Sequence, residues 1–210
     1  AQGNFDGAGI TWGVIGFTLQ GGELGAMIQE AYAEEPETVR ACFGEETDTL
    51  LANLKKPWKD QLAWADAISL GKTKATLAEP WKSSFAKFGE TDIAQRLQCE
   101  HADKSYYQPA IATAKSFGIA SEVGVALCFD IHVQNGGIKK ASDPKIRAQF
   151  TEGMSEKEKR AIIANEVAST AKEEWRENVR KRKLAIAEGE GDANGIKAVL
   201  RNWGLDEFGI

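Results

Sequence analysis

Apolar and polar residues alternate from Ile10 to Phe17, so that Ile10, Trp12 and Val14 fall on one side of an extended chain and Thr11, Gly13 and Ile15 on the other. Gly7, Gly9, Gly13 and Gly16 frame this run as tight turns with positive φ require, and the spacing predicts a hairpin lip. Beyond it the period becomes helical. Leu24, Met27, Ile28 and Tyr32 form one stripe of a helix over 23–35. Pro36 is placed to start a helix over 37–43, and Leu50, Leu51 and Leu54 mark a third over 45–54.

Trp58, Leu62, Trp64, Ala65 and Ile68 predict a helix from Pro57 to Ser69, with the tryptophans read as packing residues and not as a sugar platform. Residues 70–76 form a turn and a candidate hinge between two lobes. Further helices are predicted over 77–88, interrupted or restarted at Pro80, over 91–103 behind a capping Thr91, and over 106–116 up to Gly118. The most apolar helix, 123–133, starts at Ser121-Glu122 and stops at Asn135-Gly136-Gly137. It is the buried central one, so Asp130 within it needs a cationic partner. Polar residues 139–153, with Pro144 and Gly153, predict a loop. From Ser155 a helical pattern runs through Ala168 towards Ala187, burying Ile162, Ile163, Val167, Trp175 and Val179. A turn at 188–192, a short helix over 195–202 and a tail from Trp203 to Ile210 complete the chain.

The 210 residues suffice for one domain with its own core, so residues 1–210 are read as a single domain. Apolar content of 42% and charged content of 27% fit a globular chain, and no apolar run approaches the ~18 residues of a membrane span. Residue 1 leads straight into the glycine frame, so no signal peptide is read, which a mature secreted protein shares. With 26 basic and 31 acidic residues the net charge is −5, which argues against nucleic acid as a partner. The charge either draws a polycation to an acidic cleft or is a solubility margin. Cys42, Cys99 and Cys128 have neither metal-like nor disulfide-framework spacing, and His101 and His132 stand apart, so no metal and no cofactor is expected. No Gly-Lys-Ser/Thr directly follows the glycine frame, which leaves phosphate binding unsupported.

The chemistry concentrates at Asp6, a lone carboxylate in that frame. An Asp before Gly ordinarily bonds only its own backbone, and this plain reading stands beside a catalytic one. The run Asp6-Gly7-x-Gly9-x-Thr11-x-Gly13-x-Ile15-Gly16-Phe17, followed by Glu23 at a helix start, resembles the signature of the chitosanases of glycoside hydrolase family 46 and their peptidoglycan-directed relatives. Tyr106-Tyr107-Gln108-Pro109-Ala110, the run from Val123 to Ile138 and the basic helix around Val179-Arg180-Lys181-Arg182-Lys183 fit the same family.

The resemblance implies a mainly α fold with a small β hairpin, two-lobed and lysozyme-like, with the hairpin and the helix from Glu23 lining a groove for an extended sugar chain. It implies inverting hydrolysis by two carboxylates roughly 6.5–9.5 Å apart. Asp6 falls at the general base, Thr11 where a threonine holds the attacking water, and Glu23, with Gln20 beside it, at substrate-binding positions. Glu23 also suits the dipole of its helix, so both roles stay open. The family's general acid is a glutamate on a helix shortly before the base, whereas five residues precede Asp6. The acid is therefore expected on a processed segment before Ala1 that can stay bound as a companion, or else this copy is not catalytic by itself. Asp130 and Arg182 match a buried ionic network behind the family's active site, whose second arginine has no counterpart over 184–200, where only Lys197 is basic. The remaining cations of the basic helix are read as solvated.

The expected function is cleavage of β-1,4 bonds in an amino-sugar polymer, by a secreted, periplasmic or wall-delivered protein. The acidic balance and Gly13-Val14-Ile15-Gly16-Phe17 favour chitosan. Ala8 in place of a substrate-contacting arginine of the chitosanases, and Phe129-Asp130-Ile131 through Val133-Gln134-Asn135-Gly136-Gly137, which is nearer the wall-directed relatives, favour peptidoglycan, and the balance leans slightly to peptidoglycan. The alternative is a non-catalytic polysaccharide-binding or structural module, as in a phage tail or secreted assembly, that keeps the groove.

Overall fold

The glycine frame folds into a hairpin in which β1 (Thr11–Trp12) pairs antiparallel with β2 (Phe17–Thr18), Thr11 opposite Thr18 and Trp12 opposite Phe17. Ile10 and Trp12 are buried together, but Val14 is 77% exposed because the chain turns out of the strand at Gly13 (φ 88°). The computed structural model describes residues 1–193 and 195–209 and divides into two compact units, Ala1–Ala102 and Asp103–Ile210.

In the first unit the hairpin leads into α1 (Glu23–Glu34), α2 (Pro36–Phe43, with Pro36 in its first turn), a 3₁₀ turn Gly44–Glu46, α3 (Thr47–Leu54) and α4 (Trp58–Ala67). β3 (Ser69–Leu70) and β4 (Thr76–Leu77) form a second hairpin, so the candidate hinge over 70–76 is its turn. The helix expected over 77–88 is shorter: α5 (Trp81–Gly89) begins only after Pro80, whose ring cannot continue a helix from the strand before it. Thr91 then caps α6 (Asp92–Ala102), its Oγ1 accepting from Ala94 N at 3.3 Å. Trp12 stacks on Phe88 with ring centroids 5.2 Å apart, and Phe43 meets Phe85 edge-on at 5.2 Å, so the hairpin is seated in the aromatic core of this unit.

The second unit starts with a π-helical turn, Asp103–Tyr107, followed by α7 (Gln108–Ser116) and α8 (Glu122–Asn135). Ser121 caps α8 and left-handed Gly136 ends it. Leu127, Cys128 and Ile131 of α8 are fully buried with Ala110 and Ala114 of α7. The expected loop over 139–153 contains a short helix, α9 (Asp143–Arg147), which Pro144 starts, the Asp143–Arg147 ion pair spans and buried Ile146 anchors. The long helical pattern from Ser155 is two helices, α10 (Glu156–Ser169) with a full capping box at Ser155, and α11 (Glu173–Glu188). They separate where the hydroxyls of Ser169 and Thr170 bond back to Glu166 O and Val167 O, in competition with the helical ladder.

The helix expected over 195–202 is not formed. Left-handed Gly189 ends α11, and β5 (Glu190–Ala193) then pairs antiparallel with β6 (Ile196–Val199), placing Asp192 opposite Lys197. Only Leu200–Trp203 is helical, as a 3₁₀ turn. The hairpin lies so close to α11 that a side chain at Gly191 would come within 2.9 Å of Ala185. In the tail Trp203 and Phe208 are exposed, while its backbone docks on the start of α8 through Glu122 N to Phe208 O and Val123 N to Asp206 O. Among the described residues no helix is long and apolar enough to cross a membrane.

Candidate active site

The loop carrying Asp6 is held by its neighbours. Asn4 Oδ1 accepts from Gly9 N at 3.0 Å, Asn4 Nδ2 donates to Asp66 Oδ1 at 3.3 Å, and Asn4 N donates to Ser69 Oγ at 2.9 Å. The bond from Asn4, then that from Lys74, holds the Asp66 carboxyl below its ordinary pKa. Asp6 itself is exposed, and its Oδ1 accepts from Ala8 N at 3.0 Å. The local turn bond of the plain reading is thus present, and it uses one carboxylate oxygen.

Backbone bonds extend the hairpin towards this loop, from Leu19 N to Ile10 O at 2.8 Å and from Gln20 N to Ala8 O at 3.1 Å. Thr11 also pairs with Gln2 on its other edge, so its backbone is fixed from both sides. Its hydroxyl Oγ1 is buried without a hydrogen-bond partner among the described residues. Gln20 is exposed beside the Asp6 loop, and Gly21-Gly22 carry the chain from it to half-buried Glu23 in the first turn of α1. Backbone hydrogen bonds thus join the Asp6 loop, the strand of Thr11 and the turn at Gln20 that leads to α1.

Asp130 and Arg182 belong to the second unit. Arg182 Nε donates to Asp130 Oδ1 at 2.9 Å, with its side chain 38% exposed. A second cation completes the cluster: Lys183 Nζ lies 2.5 Å from Asp130 Oδ2 and 2.7 Å from Gln134 Oε1, wholly buried. Burial lowers the Lys183 pKa despite the raising effect of Asp130. The expectation that the cations near Arg182 are solvated fails at Lys183.

Two other residues lay outside the sequence-based assignment. Arg160, wholly buried, donates to Ala187 O, Ser121 Oγ, Glu156 Oε1 and both oxygens of Glu207. Gln98 of α6 accepts from Val14 N at 2.9 Å. A readable signal existed for both buried cations: Arg160 precedes Ile163, Ala164 and Val167 at helical spacing, and Lys183 stands between Val179 and Ala187 at intervals of four. For Gln98 there was none, because its partner is a backbone amide distant in sequence.

His132 bonds Thr113 at 2.8 Å, and burial lowers its pKa; His101 meets Glu30 at 3.0 Å. Among the described residues no group of three or more His, Cys, Asp or Glu is placed to hold a metal.

Residues 2–172 match the family described as glycosyl hydrolase family 46. The chain belongs to that family. A chitosanase from Streptomyces sp. (strain N174) is 25% identical over 151 residues, covering 68% of this chain and 48% of the relative. The family 46 chain therefore spans about half the length of that curated relative. No solved structure matches it. The family match includes Asp6, Thr11, Gln20, Glu23 and Asp130 but ends before Arg182 and Lys183, so the cationic half of the buried cluster lies beyond it.

Proposed function

We propose that this family 46 chain carries the general-base half of a glycoside hydrolase that cuts β-1,4 bonds in an amino-sugar polymer with inversion. The observation that carries the reading is an exposed Asp6 in a loop whose Ala8 carbonyl is bonded to Gln20 N, next to a hairpin in which the Thr11 hydroxyl is buried without a hydrogen-bond partner among the described residues. A buried hydroxyl without a partner costs about 1–3 kcal/mol, a cost that a bound water would remove. In this reading Thr11 holds the attacking water and Asp6 takes its proton. Glu23 and Gln20 bind the polymer. Asp130, Arg182 and Lys183 are assigned to structural support.

Chitosan is the substrate class we favour. The curated relative is a chitosanase, and the acidic balance of the chain, with a net charge of −5, suits an ammonium-bearing polymer. The wording that favours peptidoglycan, from Phe129 to Gly137, has a packing explanation, since Asp130 and Gln134 serve Lys183 and Gly136 ends α8. Peptidoglycan remains the second reading on the strength of Ala8, where an arginine contact to chitosan is missing.

The test is sugar release from chitosan and from peptidoglycan by the full encoded protein and its Asp6→Asn variant. Release lowered at least about a hundredfold by Asp6→Asn supports the reading. Binding of either polymer without release identifies the non-catalytic module instead.

A further inference from the structure

The hairpin that carries Thr11 ends in a turn whose conformation is set by a side chain far away in sequence. Gln98, on α6, is 5% exposed and brings its Oε1 to 2.9 Å from Val14 N. The contact depends on Gly13. A Cβ there would lie 2.5 Å from Gln98 Oε1 and 2.9 Å from Phe17 Cδ2, and the residue has φ 88°, where side chains are strained. On the other side of Gly13, Trp12 Nε1 donates to Phe85 O at 3.0 Å. The turn is therefore tied to α5 through Trp12 and to α6 through Gln98, by two bonds that flank one glycine.

Both bonds act on the strand that presents Thr11. Among the described residues its buried hydroxyl has no hydrogen-bond partner, so its position is inherited from the backbone of β1. Trp12 also stacks on Phe88, which makes it part of the core. Gln98 differs, because what it supplies to the hairpin is a single acceptor at the tip. Val14 is exposed, so water can replace that acceptor without leaving a buried amide unpaired. Loss of Gln98 thus frees the tip and does not by itself unfold the unit.

We infer that Gln98 is a positioning residue for the hydrolysis proposed above, and that it acts by fixing the hairpin that aims the Thr11 hydroxyl at the attacking water. The inference rests on that proposed function. Misplacing a water-holding group affects an interaction used in the transition state, so the loss falls on kcat and leaves KM nearly unchanged.

The experiment uses the full encoded protein and the polymer it cleaves, with Asp6→Asn as a control and Gln98→Met, Gln98→Glu, Thr11→Val and the Thr11→Val/Gln98→Met pair as variants. Met fills a similar volume without the acceptor, and Glu keeps an acceptor oxygen whether ionised or not. Expected are a kcat lowered about ten- to a hundredfold in Gln98→Met with KM within about twofold, and recovery of most of it in Gln98→Glu. Adding Gln98→Met to Thr11→Val should change kcat by less than about twofold, because the group it positions is already gone. A wild-type kcat in Gln98→Met, or an equal loss with and without Thr11, overturns the inference while leaving the function intact. An inert wild-type protein, or an active Asp6→Asn, overturns the reading of the site itself and the inference with it.

Discussion

Lys183 places its ammonium 2.5 Å from Asp130 Oδ2 with none of its side chain exposed, while neighbouring Arg182 holds the other carboxylate oxygen from a partly open position. Two consecutive residues of α11 thus close on one acid of α8. Their exposures differ because successive helical residues point about 100° apart. One cation is inside and the other lies at the rim.

Removing the inner cation leaves an acid of α8 with one partly solvated partner. Lys183→Met is expected to destabilise the protein by about 3–5 kcal/mol, as for one partner of a buried pair. Adding Asp130→Leu should recover much of this, since the remaining Arg182 can reach water. Urea unfolding of the two variants checks it, and a Lys183→Met loss under about 1 kcal/mol would contradict a structural role for the ammonium.

Arg160 ties α10 to the end of α11, the start of α8 and the C-terminal tail. Its two contacts to Glu207, at 2.7 and 2.6 Å, use the planar fork that a lysine lacks. Arg160→Lys is expected to cost about 3 kcal/mol, because several buried acceptors lose their donor together. Glu207→Gln should cost no more than about 1 kcal/mol, since that side chain is 59% exposed. Equal losses in the two variants would mean that the arginine serves only the tail.

The same cluster sets an acid limit. Burial works against the Glu156 carboxylate, but bonds from Ser121, the backbone amides of Ala120 and Ser121, and Arg160 outweigh it and hold its pKa below the ordinary 4.5. The folded protein then binds fewer protons than the unfolded chain in this range. The stabilisation is complete above about pH 4.5 and is lost as pH falls through the lowered folded pKa. Glu156→Gln should therefore be less stable than wild type at neutral pH, with the gap narrowing on acidification below pH 4.5. Chemical denaturation from pH 7 to pH 3 would show it, and a constant gap would argue against this assignment.

Where local pattern decides the outcome, the sequence was readable. The Ile10–Trp12 alternation, the stripe of α1 and the Ser121 and Ser155 caps all formed as their spacing implies. Asp130 could be assigned a cation because an apolar helix cannot hold a bare carboxylate, and Arg182 followed from family likeness. Lys183 was missed because a run of five residues with four cations, Arg180 to Lys183 after Val179, looks uniformly solvated unless the stripe from Val179 to Ala187 is followed. The hairpin over 190–199 was hidden for another reason. Its strands are short and little buried, so it depends on close approach to α11 at Gly191, a tertiary contact that no periodicity records. At the candidate site, the motif singled out Asp6 and Thr11 only through the family likeness, whereas the burial of the Thr11 hydroxyl without a partner among the described residues is a property of the packed hairpin.

Glu23 separates two roles that the sequence left open. As an acid in the first turn of α1 it favours the helix dipole by about 0.3–1 kcal/mol, and Glu23→Gln should lose that much stability whatever the protein does. If Glu23 also meets an ammonium of chitosan, the same variant should raise KM severalfold with kcat little changed, because an interaction present in both the bound and the transition state has been removed. That increase should shrink at 0.5 M salt, where the screening length falls to about 4 Å and exposed charges attract weakly. A small stability loss with KM unchanged at low salt would leave Glu23 as a helix-start residue and move polymer recognition elsewhere on the edge. A KM increase on peptidoglycan but not on chitosan would shift the substrate assignment to the wall polymer.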